Sequence, residues 1–175
     1  MKQQIETCKK ICMLGSFGVG KTSLVRRFVH NKFDEKYLTT IGVQISQKTL
    51  SPIKNSNESL KLILWDIAHI EKFDNVIKNY FRGSHAAIIV FDFSRPQTFK
   101  ESDVFLKPYF NVNPKSKIIF VGNKVDLVEG DSIETEQLLQ FAKKFNTSHF
   151  LTSAKTGKNV EALFSKLGSL LTGAK

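Results

Sequence analysis

Residues 15–22 read GSFGVGKT, a G-x-x-x-x-G-K-T string set between a strand-like run, KICML, and a stretch with helical spacing from Thr22 to His30. No other segment restricts the fold as much. Gly15, Gly18 and Gly20 permit tight, partly left-handed backbone, so that successive N–H groups can face one anion, and a helix opening near Lys21 adds the positive end of its dipole. Phe17 and Val19 fill the variable positions between them. Lys21 is placed to reach outer phosphates, and Thr22 to offer its hydroxyl to a magnesium ion. A glycine-rich turn that merely reversed the chain would not require Lys-Thr at that offset.

The rest of the chain supplies the sheet that such a loop needs. Strand-length apolar segments recur as KICML, VQISQKTL, LKLILWD, AAIIVFD, KIIFVG and SHFLT, and helical spacing appears at Thr22–His30, Phe73–Arg82, Thr98–Tyr109, Thr135–Phe145 and Asn159–Leu171. Strands alternating with helices predict an α/β fold with a largely parallel sheet covered on both faces. The exception is VQISQKTL with LKLILWD, which are joined by the polar loop SPIKNSNES and therefore expected to pair antiparallel. The expected product is a P-loop fold with a six-stranded mixed sheet and five helices. Ligands of such sheets bind beyond the carboxyl ends of the strands, which directs attention to the loops there.

No low-complexity stretch or linker divides the 175 residues, so a single domain over 1–175 is expected. The longest apolar runs are too short to span a bilayer, and the polar N-terminus MKQQIETCKK is followed by no signal-peptide core, so a soluble, cytoplasmic protein is expected. Cys8 and Cys12 lie four apart on one predicted strand, on the same face and too distant to bridge, which fits reduced thiols. Lys and Arg number 26 against 16 Asp and Glu, a net charge of +10, so acidic partners come into question. The cations are scattered singly and in pairs, with no RNA-binding signature and no interleaved aromatic ladder. A solvated basic surface is expected, without specific nucleic-acid binding.

Phosphate binding does not choose a base, but the loop after KIIFVG does, because it reads NKVD, Asn123 to Asp126. The Asp126 carboxylate can accept from both the N1–H and the exocyclic amine of guanine. Adenine would leave it unpaired, at a cost of roughly 1 to 3 kcal/mol. Lys124 can lay its aliphatic stem over the base, and Asn123 can brace the loop. Farther on, TSAK brings Ser153, Ala154 and Lys155 after the last strand, where the Ala154 N–H can donate to the guanine oxygen.

With these motifs in this order, the chain resembles the Ras-superfamily small GTPases, and most of all their Rab branch, from about Lys9 to Leu171. FDEKYLTTIGV (Phe33 to Val43), the W-D-x-A-x-x-E-K-F frame at Trp65 to Phe73, and YFRGSHAAIIVFD (Tyr80 to Asp92) carry the Rab-like features. The resemblance implies that Phe33 flanks the guanine ring, that Thr40 ligates magnesium through the first switch, and that Asp66 holds the metal's water shell. Thr39 is adjacent, but spacing from Phe33 and Tyr37 and the Ile-Gly that follows favour Thr40. Ile45, Trp65 and Tyr80 fall where Rab proteins place an aromatic triad that meets effectors, with Ile45 replacing the usual Phe; ordinary packing between switches and sheet is the alternative. GTP, GDP and Mg2+ are the implied ligands, and effectors, an exchange factor and an activating protein the implied partners of a monomer. Rab proteins usually end in prenylated cysteines, whereas this chain ends SLLTGAK with no cysteine after Cys12, so no stable membrane anchor is expected in it. Either a cut tail or a naturally lipid-free protein would account for that, and a Rab-like protein of bacterial origin would suit the second case.

One stretch departs from the family. Against its D-x-x-G-Q, this chain has Asp66, Ile67, Ala68, His69 and Ile70. His69 keeps a backbone N–H for the γ-phosphate, but its Cβ narrows the hinge that must swing. Ile70 can neither donate to nor accept from the attacking water, as the family glutamine does. The expectation is intact guanine-nucleotide binding with weakened intrinsic hydrolysis. A pseudo-GTPase scaffold with negligible hydrolysis is the alternative, and a basic nucleic-acid or membrane-surface module a third.

Overall fold

The computed structural model describes residues 5–34, 39–50, 58–68, 75–128 and 133–173. The chain runs β1 (Ile5–Leu14), α1 (Lys21–His30), β2 (Val43–Leu50), β3 (Glu58–Ile67), α2 (Asn75–Phe81), β4 (Ala86–Asp92), α3 (Gln97–Lys100), α4 (Ser102–Val112), β5 (Lys117–Asn123), a 3-10 turn (Val125–Leu127), α5 (Ile133–Lys144), β6 (His149–Leu151) and α6 (Val160–Thr172). Six strands form one sheet in the order β2-β3-β1-β4-β5-β6. All neighbours are parallel except β2 and β3, whose antiparallel register sets Ile45 opposite Trp65. The mixed α/β sheet and the five expected helical stretches are thus present, the third divided into α3 and α4. The division falls at Glu101, whose N–H turns back to the Phe99 carbonyl in place of a regular helical bond.

β4 is buried along its whole length, as AAIIVFD suggests for a strand covered on both sides. Ala86, Ile88 and Val90 face one core with Ile11, Met13, Ile119 and Val121, closed by Leu24 and Phe28 of α1 and Leu163, Phe164 and Leu167 of α6. Ala87, Ile89 and Phe91 face the other, with Phe81, Phe105, Tyr109 and Leu138 from α2, α4 and α5. This second layer is aromatic: Phe91 stacks on Phe99 at 4.3 Å and on Phe141 at 5.6 Å, and Phe120 lies 5.4 Å from Phe145. In the first, Phe28 stacks on Phe164 at 3.8 Å. Two rigid layers fix the sheet, so the loops at its carboxyl edge are held from below.

Both cysteines are free thiols, Cys8 exposed and Cys12 buried. Burial pushes the Cys12 thiol up to about 11, which keeps it protonated and unreactive. Among the described residues no helix is long and apolar enough to cross a membrane.

Candidate functional site

The loop after β1 wraps over the start of α1. Gly20 is the N-cap of that helix in a left-handed conformation, φ 97°, with no side-chain cap. A Cβ there would come within 2.3 Å of the Asn123 amide nitrogen, so glycine is required twice over, by conformation and by contact. Leaving the helix N-terminus without a side-chain cap keeps its first N–H groups for an anion. Lys21 is buried, and its Nζ donates to the carbonyls of Gly15 at 2.7 Å and Ser16 at 3.0 Å. Burial pulls this ammonium down to about 8, opposed by the nearby Asp66 carboxylate. Val19 is turned into the core, while Phe17 and Gly18 stand at the cleft.

Three oxygen donors meet beside the first turn of α1. Thr22 Oγ1 lies 2.7 Å from Thr40 Oγ1 and donates to Asp66 Oδ2 at 2.5 Å. Asp66 is buried, which raises its pKa against the hydrogen bond from Thr22 and the charges of Lys21 and Arg26. Its other oxygen, Oδ1, is buried and has no hydrogen-bond partner among the described residues. A divalent cation fits this set: one carboxylate with an unsatisfied oxygen, and two hydroxyls. Among the described residues no cluster of three or more His, Cys, Asp or Glu could hold a metal ion, so a metal here would complete its shell with phosphate and water oxygens, as magnesium does.

At the other end of the cleft, Asn123 is almost fully buried and ties three loops together. Its Nδ2 donates to the Val19 carbonyl at 3.0 Å, and its Oδ1 accepts from Thr152 Oγ1 at 3.1 Å and from the Ala154 N–H at 3.2 Å. Lys124 follows in a left-handed conformation, φ 65°, with its Nζ 2.7 Å from Asp92 Oδ2. Asp126, Leu127, Ala154, Lys155 and Phe33 complete a cleft of about 370 Å³ that runs to Lys21, Thr22 and Thr40. Ser153 does not open onto it. Its side chain is buried and its Oγ accepts from the Thr156 N–H at 3.1 Å, so it shapes the loop from behind.

Ile45, Trp65 and Tyr80 form a separate surface. Ile45 is about half exposed, and Trp65 lies 6.1 Å from Tyr80 with the rings tilted by 50°. His69 and Ile70 lie outside the described residues, as does Tyr37.

Several contributors escaped the sequence reading. Arg27 donates to the carbonyls of Ala154 at 2.8 Å and Lys155 at 2.6 Å, carrying α1 to the TSAK loop. Lys10 places its Nζ 3.7 Å over the Trp65 ring and donates to the Arg82 carbonyl at 2.9 Å. Asp92 closes β4 opposite Asn123. An acidic residue ending an otherwise apolar strand, at the edge where α/β sheets bind ligands, is a signal that could have found it. Compared with models of known protein families, the chain matches the Ras family over residues 10–172. That span takes in the phosphate loop, the oxygen trio and the NKVD loop together, and the chain belongs to the Ras family of GTP-binding switch proteins, whose members are GTPases that take GTP, GDP and magnesium.

Proposed function

We propose that this chain is a Rab-type switch that holds GDP and GTP through the residues of the cleft and hydrolyses GTP slowly on its own. The observation that carries the reading is the convergence of a phosphate-binding loop, a base-reading loop and three oxygen donors on one cleft. In this reading Gly15, Gly18, Gly20 and Lys21 serve the phosphates, and Thr22, Thr40 and Asp66 the magnesium. Phe33 and the stem of Lys124 cover the base, and Asp126 accepts from its N1–H and amine. The Ala154 N–H, which donates to Asn123 Oδ1 at 3.2 Å, donates at the same time to the guanine oxygen. Ile45, Trp65 and Tyr80 are the surface for effectors, with an exchange factor and an activating protein as further partners.

The nucleotide released when purified protein is denatured should be GDP or GTP. Adenine nucleotide in its place, or no nucleotide together with no GTP binding, would overturn the base assignment.

Slow turnover is proposed from His69 and Ile70. A family member with its glutamine turns over on the order of 10⁻⁴ per second alone, and loss of the group that aligns the water should slow this at least about tenfold. His69→Gly combined with Ile70→Gln should then speed single-turnover hydrolysis of preloaded GTP by about the same factor, with guanine affinity unchanged. If the unsubstituted protein already hydrolyses at the ordinary family rate, another group positions the water. If neither exchange nor hydrolysis is measurable, the scaffold reading takes its place.

A further inference from the structure

The wall of the cleft where β4 ends carries a connection that the family frame does not explain. The Asp92 carboxylate is fully buried and saturated by donors. Oδ1 accepts from the Ser94 N–H at 2.9 Å and the Ser94 hydroxyl at 2.6 Å, and Oδ2 accepts from Arg95 Nε at 2.8 Å and Lys124 Nζ at 2.7 Å. Burial alone would raise its pKa. The donors from Lys124, Ser94 and Arg95 outweigh that and hold it below the ordinary carboxylate value. Two cations therefore share one oxygen, and only one of them, Lys124, belongs to the base-reading loop.

The other continues across to the phosphate loop. Arg95 turns its Nη2 to the Phe17 carbonyl at 2.7 Å. One helical piece farther on, the Ser16 hydroxyl donates to the Glu101 carboxylate. The crest of the phosphate loop, residues 16 and 17, is thus gripped from the segment between β4 and α4, and Asp92, the last residue of β4, anchors Lys124. A guanidinium is suited to this place because its planar fork offers Nε and Nη2 in different directions to two acceptors, which a single ammonium cannot do.

We propose that Arg95 is a positioning residue for nucleotide retention: by bridging Asp92 and the Phe17 carbonyl it makes the base loop and the phosphate loop move as one, and so slows release of bound guanine nucleotide. The proposal rests on the guanine-nucleotide reading above. A nucleotide spanning both loops leaves most easily when one loop swings from the other. The bridge is built from protein atoms alone, and changes at one binding site fall mostly on the dissociation rate, so its loss acts on departure far more than on encounter.

The test is the release of a fluorescent GDP analogue, chased with excess GDP in the presence of magnesium. Arg95→Ala should speed release about tenfold, equivalent to ~1.4 kcal/mol, with the association rate constant within about twofold of the unsubstituted protein. Arg95→Lys, which can reach one acceptor, should speed it by about threefold, or ~0.65 kcal/mol. Gly168→Ala serves as a comparator, because a Cβ at Gly168 would press to 2.6 Å from Leu50 Cδ1, at the end of β2 away from the cleft, and so perturbs core packing without touching the bridge. It should leave release unchanged. Release from Arg95→Ala within twofold of the unsubstituted rate would overturn the proposal, as would equal acceleration by Gly168→Ala. Failure of the unsubstituted protein to bind the analogue at all would instead overturn the guanine-nucleotide reading and this one with it.

Discussion

Asn123→Ala should release GDP about 100-fold faster than the unsubstituted protein, the loss of three hydrogen bonds at roughly 1 kcal/mol each. The three bonds run to Val19 of the phosphate loop and to Thr152 and Ala154 of the TSAK loop, from a side chain that is 1% exposed. Alanine keeps none of them and leaves the Val19 carbonyl facing a void. The same substitution also frees the Ala154 N–H, but a donor on a loop that has lost its brace is no longer held where the base needs it. Stopped-flow release of a fluorescent GDP analogue reads the effect. Release within about threefold of the unsubstituted rate would mean that the three loops keep their places without Asn123.

The second large effect concerns the fold beneath the site. Gly122 precedes Asn123 in β5, and a Cβ on it would lie 2.0 Å from Phe93 Cε2 and 2.5 Å from Cδ2. The ring has little room to retreat. It is buried and lies 6.0 Å from Phe99 in the aromatic layer, while the Phe93 N–H is bonded to the Asn123 carbonyl at 2.9 Å. Gly122→Ala should therefore cost about 3 kcal/mol, the upper part of the range for overpacking, and lower Tm by roughly 10 °C in a chain of this size. Phe93→Ala introduced with it should recover part of the loss, because the clash and the ring are removed together. Thermal unfolding of the single and double variants measures both. Equal Tm for Gly122→Ala and the unsubstituted protein would mean that β5 and Phe93 separate freely.

What could be read in advance follows the range of the interactions. The phosphate loop is legible because its chemistry is local: glycines, a lysine and a threonine within eight residues specify both backbone and ligand. The antiparallel placement of β2 was legible in the same way, from a polar connection flanked by two strand-like runs. The extents of the third helix were less so. Its break at Glu101 involves a turn back to Phe99 and a hydrogen bond from Ser16, and no spacing rule contains the latter. Ser153 sits inside a motif that marks the base loop, yet its side chain faces away, because a four-residue string does not say which way each member points. Arg95 is the extreme case, since its partner Phe17 lies 78 residues earlier and the two meet only after β1 and β4 have paired.

The ammonium of Lys10 over Trp65 has an optical consequence. Trp65 is the chain's one tryptophan, and it lies on the surface proposed to meet effectors, beside Tyr80 of α2. A charge 3.7 Å from an indole ring perturbs its excited state, and this charge is tethered to the Arg82 carbonyl just beyond that helix. Movement of α2 relative to the sheet would draw the charge along the ring or off it. The protein therefore carries a single tryptophan, excitable apart from its tyrosines, whose emission should report the position of that helix with no label attached.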